Sequence, residues 1–98
     1  MNLNHYIIKY KPPRSTFVDD ATDEELMHIE HHFEYLKKLL SENILILAGR
    51  TEDAHLGIAI FEAESINKAQ EIMANDPAIR SGVFTGEMHQ FRLALVQN

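Results

Sequence analysis

The chain has 98 residues, enough to bury roughly 65% of the surface its unfolded form exposes, so one domain with its own core is expected over 1–98 without disulfides or a structural metal. Its 45% hydrophobic and 24% charged residues are ordinary for a globular protein, and the absence of cysteine excludes a disulfide framework, a Cys nucleophile and any thiolate metal site. A net charge of −6 with nine scattered basic residues argues against nucleic acid or anionic membrane as partners; no apolar run approaches the roughly 20 residues of a membrane span, and Met1–Lys11 lacks a signal-peptide core, so a cytoplasmic protein is expected.

Asn4 to Tyr10 alternates with β-branched and aromatic residues and is closed by Pro12-Pro13, which marks a first strand. Thr22-Asp23-Glu24-Glu25 has the form of a capping box, with acids suited to the helix dipole. The helix it opens carries an apolar stripe at Leu26, Ile29, Phe33, Leu36 and Leu40, spaced three and four apart, and Asn43 ends it in the left-handed conformation. Ile44 to Ala48 is a continuous apolar run that reads as a strand buried on both faces. After a turn at Thr51–Leu56, Gly57 to Ala63 forms its hairpin partner. Ser65 caps a second helix whose inward side is Ile66, Ala69, Ile72 and Met73. Asp76 as N-cap with Pro77 at the first helical position predicts one further turn, Ala78 to Ser81, ended by Gly82. Met88 to Val96 alternates and reads as the last strand.

The order βαββαβ fits an α+β, ferredoxin-like fold, an antiparallel four-stranded sheet with two helices on one face. Two strands with apolar residues on both sides imply that the bare face meets a second copy of the chain, giving a homodimer.

Six histidines and the carboxylates must carry any chemistry. At about 100° per residue, the stripe of the first helix centres near Phe33 and Leu40, which places His32 roughly 70° from its centre, His28 roughly 110°, and His31 nearly opposite. His32 therefore borders the buried side, where an imidazole is poised as an acid or base; the competing reading is a structural boundary histidine. His28 and His32 are also an i, i+4 pair suited to one metal ion, but a third ligand would have to come from Glu25, His55, His89 or Asp76 and no spacing requires it, so no metal and no cofactor are assigned. On local grounds Asp76 is a helix cap. Tyr10 and Arg50, at the ends of the first and second strands, suit a phenolic or anionic substrate group, with His28 beside them. The isolated glycines exclude dinucleotide and P-loop fingerprints.

The segments His32-Phe33-Glu34-Tyr35-Leu36-Lys37, Ile44 to Gly49, Gly57 to Ser65, Asp76-Pro77 and Ser81-Gly82-Val83, in this order and spacing, resemble the YCII-related (YciI-like) family of dimeric α/β-barrel proteins. The resemblance implies a paired active site at the His that opens the helix motif and the Asp of the Asp-Pro step, here His32 and Asp76. It departs from the family where Asn43 replaces Gly, Arg50 replaces Pro, and Ala78 replaces a bulky residue. Arg50 and Ala78 are expected at the cleft. A related dehydrochlorinase and the similar barrel of muconolactone isomerases imply proton transfer, elimination or isomerisation on a small cyclic or aromatic metabolite, so a lyase or an isomerase is the first expectation. The rival expectation is a non-catalytic metabolite-binding or accessory homodimer in which His32 supplies only a hydrogen bond.

Overall fold

The computed structural model describes residues 3–97. Strands β1 (Asn4–Lys11), β2 (Leu45–Arg50), β3 (Gly57–Ala63) and β4 (Thr85–Phe91) form one antiparallel sheet in the order β2-β3-β1-β4. Helices α1 (Phe17–Asp20), α2 (Asp23–Ser41), α3 (Ile66–Ala74) and α4 (Pro77–Arg80) fill the connections. Alternation along β1 sends Tyr6, Ile8 and Tyr10 to the helix-covered face, where they meet Phe61, Ala59 and Gly57 of β3 across the sheet. Tyr6 and Phe61 stack with ring centroids 5.8 Å apart, and Leu36, Leu39, Leu45 and Ala69 close the core over them. Among the described residues, no helix is long and apolar enough to cross a membrane.

Local signals hold where they are local. The Thr22–Glu25 capping box is present on both sides, Asn43 takes φ 62°, Ser65 caps α3, and Asp76 caps α4 ahead of Pro77. Gly82 ends that turn at φ 79°, a conformation open to glycine at little cost.

Four expectations are corrected. The stripe of α2 does not face the core: Leu26, Phe33 and Leu40 are 52%, 58% and 54% exposed, whereas Leu36 and Leu39 are buried. The inward direction runs instead through His32, Leu36 and Leu39, rotated by roughly 90° from the apolar stripe. Two polar residues, His32 and Tyr35, occupy that side because each has a hydrogen-bond partner there.

Strand β2 is not buried on both faces. As an edge strand it is covered at Leu45 and exposed from Leu47 onward. On α3, Ile66 at the first turn is 46% exposed, leaving Ala69 as the buried contact.

The last strand runs Thr85–Phe91 rather than Met88–Val96. Among the described residues its one neighbour is β1, and the pairing of His5 with Phe91 and Lys11 with Thr85 uses up the length of that strand. Beyond Phe91 the alternating Leu93 and Leu95 find no ladder, and Leu95 is almost wholly exposed. Near the other end of β4, Gly86 packs so closely that a Cβ would lie 2.9 Å from Ile79 Cδ1 and 3.3 Å from Met73 Sδ, which lets α3 and α4 settle against the strand.

The sheet face away from the helices mixes apolar and charged side chains. Ile7, Ile58, Leu47 and Phe91 project there by register, alongside the pairs His5–Glu62 at 3.3 Å, Lys9–Glu87 at 3.6 Å and His89–Glu87 at 3.5 Å.

Candidate active site

Three elements converge at one end of the core. Helix α2 brings His32, the start of α4 brings Asp76, and the end of β1 brings Tyr10. Asp76 stands at the N-cap because its short carboxylate reaches its own helix, with Oδ1 accepting from Ala78 N at 2.9 Å, while Pro77 supplies the helical φ without a surplus donor. The same carboxylate accepts the Tyr10 hydroxyl on Oδ2 at 2.8 Å. His32 Nδ1 lies 2.7 Å from Oδ1 and 2.9 Å from Oδ2. One carboxylate is therefore both the cap of α4 and the neighbour of His32 Nδ1.

Burial makes this arrangement consequential. Asp76 is 1% exposed, and the His32 side chain is 12% exposed. Among the described residues no buried side-chain nitrogen or oxygen lacks a hydrogen-bond partner, so the cluster is fully satisfied despite its depth. An ionised carboxylate only accepts, so Nδ1 is the nitrogen whose N–H can meet Asp76, and in a neutral ring so oriented the lone pair is on Nε2. The ring is held edge-on by Tyr10, at 5.1 Å between centroids and 74°, and by Phe84, at 5.7 Å and 84°. Phe84 in turn packs against Phe17 at 5.9 Å.

Burial, then the charge of Asp76, then its hydrogen bond push the Tyr10 phenol well above its ordinary range. Tyr10 thus donates its hydroxyl proton to Asp76 while its side chain also stands in the lining of the cavity beside His32. Tyr35 is pushed up to about 12, by burial first and by Asp76 and Glu42 after it; its hydroxyl donates to the Ile72 carbonyl at 2.8 Å and ties α2 to α3.

A cavity of about 490 Å³ opens beside His32, within the size range of small-molecule sites. Leu26, Ile29, Phe33 and Leu36 of α2 line one wall, and Ala48, Gly49 and Arg50 of β2 with Gly57 and Ile58 of β3 line the other. The exposed apolar stripe of α2 is in large part this wall.

Arg50 stands in the lining as expected, with Nη1 donating to the carbonyls of Thr51 and Glu52 at 3.0 and 3.2 Å. Two expectations are corrected. His28 is outside the lining, its Nε2 3.9 Å from Glu24 Oε1. Ala78 is fully buried and holds Asp76 through its backbone instead of bordering the cleft. Among the described residues no three His, Asp or Glu side chains come together to hold a metal ion. Phe84, Phe17 and Gly57 escape a search for titratable groups; only the position of Phe84 just after the Gly82 turn hints that it returns to the site.

Comparison with known proteins places these features in a family. Residues 4–88 match the model of the YCII-related domain. Over 55 residues the chain is 38% identical to Uncharacterized protein YjpA of Bacillus subtilis (strain 168), an alignment that covers 56% of this chain and 65% of that protein, just under two thirds of its length. The fold is similar to that of 5-chloro-2-hydroxyhydroquinone dehydrochlorinase from Burkholderia phenoliruptrix AC1100, solved in complex with 2,5-dihydroxybenzoquinone. The TM-score is 0.70 at 19% identity, with 92% of this chain and 95% of that one covered. The match over residues 4–88 identifies the chain as a member of the YCII-related domain family.

Proposed function

We propose that the chain is a small-molecule enzyme, a lyase or isomerase, in which His32 moves a proton on a small cyclic or aromatic metabolite. The observation that carries this is the double contact of His32 Nδ1 with the buried Asp76 carboxylate beside an apolar cavity that His32 itself lines. Asp76 holds the ring in one tautomer and offsets the charge that appears when Nε2 accepts a proton. Tyr10 and Ala78 N hold Asp76. In an isomerisation Nε2 takes a proton from one atom and returns it to another; in an elimination it takes the proton, the freed electron pair becomes the new double bond, and the leaving group departs with its own pair. The dehydrochlorinase of similar fold supports a reaction of the second kind.

His32→Gln and Asp76→Asn test the reading on a panel of lactones and chlorinated hydroxyquinols. His32→Gln should abolish turnover with ligand affinity within about threefold of wild type, and Asp76→Asn should lower kcat by 10²-fold or more. Unchanged turnover in His32→Gln would sink it.

A second reading is favoured by one observation, that Asp76 already serves as the cap of α4 and the acceptor for Tyr10, structural roles that give its burial a reason without catalysis. A metabolite-binding homodimer then uses the same cavity without turnover, and a wild type that binds compounds from the panel but converts none supports it. In either case we propose that the bare sheet face pairs with a second copy through Ile7, Leu47, Ile58 and Phe91. Leu47→Asp, at an exposed position, should shift the molecular mass in solution from dimer to monomer.

A further inference from the structure

The cavity beside His32 has an uneven distribution of charge. Its titratable lining residues are Tyr10, His32 and Arg50, with no Asp or Glu, so the one permanent charge in the lining is positive, in a chain of net charge −6. Arg14, whose guanidinium lies 5.4 Å from the ring of Phe17 at the cavity wall, is neutralised by Asp20 and Glu25 at 2.8 Å each. Arg50 is different. Its protein partners among the described residues are two backbone carbonyls on Nη1, which leaves Nη2 and Nε without a protein acceptor and the positive charge without a counterion.

Register supplies the distances. Arg50 is opposite Gly57, and Gly57 is opposite Tyr10, so the three lie in one row on the helix-covered face. With strands about 4.8 Å apart, Arg50 and Tyr10 are separated by about 10 Å of backbone. The middle of that row has no side chain. A Cβ on Gly57 would meet Gly49 O at 3.6 Å, Tyr10 Cβ at 3.7 Å and Tyr10 Cδ2 at 3.8 Å, ordinary contacts, so the absence of a side chain is not forced by packing and leaves an open floor. One end of the floor is a cation; the other is the cluster of Tyr10, Asp76 and His32. Phe33 and Ile29 face it from α2.

Resting on the proton-transfer reading for the reactive end, the geometry points to a substrate class: a small planar ring carrying one carboxylate, with the carboxylate paired to Arg50, the ring over Gly57 and the labile position at His32. A guanidinium with adjacent free donors matches a carboxylate in both shape and charge. A ligand with two anionic groups finds a single fixed cation, and a neutral ring leaves Arg50 uncompensated.

Titration of the wild type with 4-hydroxybenzoate and its neutral counterpart 4-hydroxybenzamide, followed by amide NMR shifts, tests the assignment. The benzoate should bind at least tenfold more tightly than the amide and should move the Gly57 resonance. Arg50→Gln, a change at an exposed position on an edge strand, should remove the preference; Arg50→Lys should restore part of it, and His32→Gln should leave it intact. Gly57→Leu should weaken both probes without changing their ratio. Equal binding of the two probes, binding of neither, or a preference that survives Arg50→Gln overturns the assignment. Because the readout is affinity alone, a wild type that turns nothing over leaves the anion preference standing, and loss of that preference leaves the His32–Asp76 pair untouched.

Discussion

Two of the carboxylates at the starts of helices in this protein, Glu25 and Asp76, meet different fates. Glu25 belongs to the capping box of α2, accepting from Thr22 N at 2.9 Å and from both Arg14 terminal nitrogens at 2.9 and 2.8 Å. Asp76 caps α4, accepting from Ala78 N, Tyr10 and His32. Each is saturated with donors, yet Glu25 is partly open to water and paired with a permanent cation, while Asp76 is sealed and has one partner whose charge depends on a proton. The first arrangement braces a surface turn. The second places a histidine ring against a buried carboxylate at the edge of a cavity. A cap becomes a component of a site when its remaining lone pairs face a titratable group in a dry place.

The largest effect that separates the two ends is expected from Asp76→Ala. It strands three donors, two of them on side chains, and should cost about 3 kcal/mol, seen as a fall in melting temperature on the order of 15 °C for a domain of this size. A change of under 1 kcal/mol would mean the cluster is not as buried as described. Tyr10→Phe removes one of the donors to Asp76 and should cost about 1 kcal/mol.

The charge of Asp76 can be read from a neighbour. The Tyr35 phenol, pushed up to about 12, should move toward its ordinary value in Asp76→Asn, as followed by ultraviolet absorbance, while staying above it because burial is the larger cause. Its contribution to stability has a sign. Below the unfolded value near 10 folded and unfolded chains are both protonated; above it the folded state binds the proton longer, so stability falls as pH rises from about 10 to 12. Tyr35→Phe should flatten that fall.

The smallest effect belongs to the exposed end. Arg14 holds Glu25 down to about 2, so the stabilisation is present above the ordinary glutamate value and is lost as pH drops from about 4.3 to 2. Arg14→Gln should therefore lower the melting temperature slightly at pH 6 and not at pH 2. An equal loss at both would show that packing of Arg14 on Phe17, rather than charge, is what matters.

The contrast also explains which parts of the molecule could be read from the chain. Caps and turns depend on neighbours in sequence, and Thr22, Asn43, Ser65, the Asp76-Pro77 step and Gly82 all stand in the roles their local chemistry predicts. The facing of α2 depends on residues far away. An apolar count treats His32 and Tyr35 as surface, and only Asp76, 44 positions on, and the Ile72 carbonyl, 37 positions on, make them suitable for burial. The end of β4 is likewise set by the length of β1, and α1, at Phe17–Asp20, is too short for periodicity to register. Family resemblance pairs His32 with Asp76; spacing alone reads one as a boundary histidine and the other as a cap. Tyr10 as support for the carboxylate had no signal in its own neighbourhood.

If Asp76 fixes the His32 imidazole with its proton on Nδ1 and its lone pair on Nε2, long-range proton–nitrogen NMR correlation of the ring reads this directly in the wild type and in Asp76→Asn. A protonated Nδ1 and a bare Nε2 are expected for neutral His32 in the wild type, shifting toward the Nε2–H form when Asp76 is replaced. A wild-type ring carrying its proton on Nε2, or a tautomer indifferent to Asp76→Asn, would contradict it.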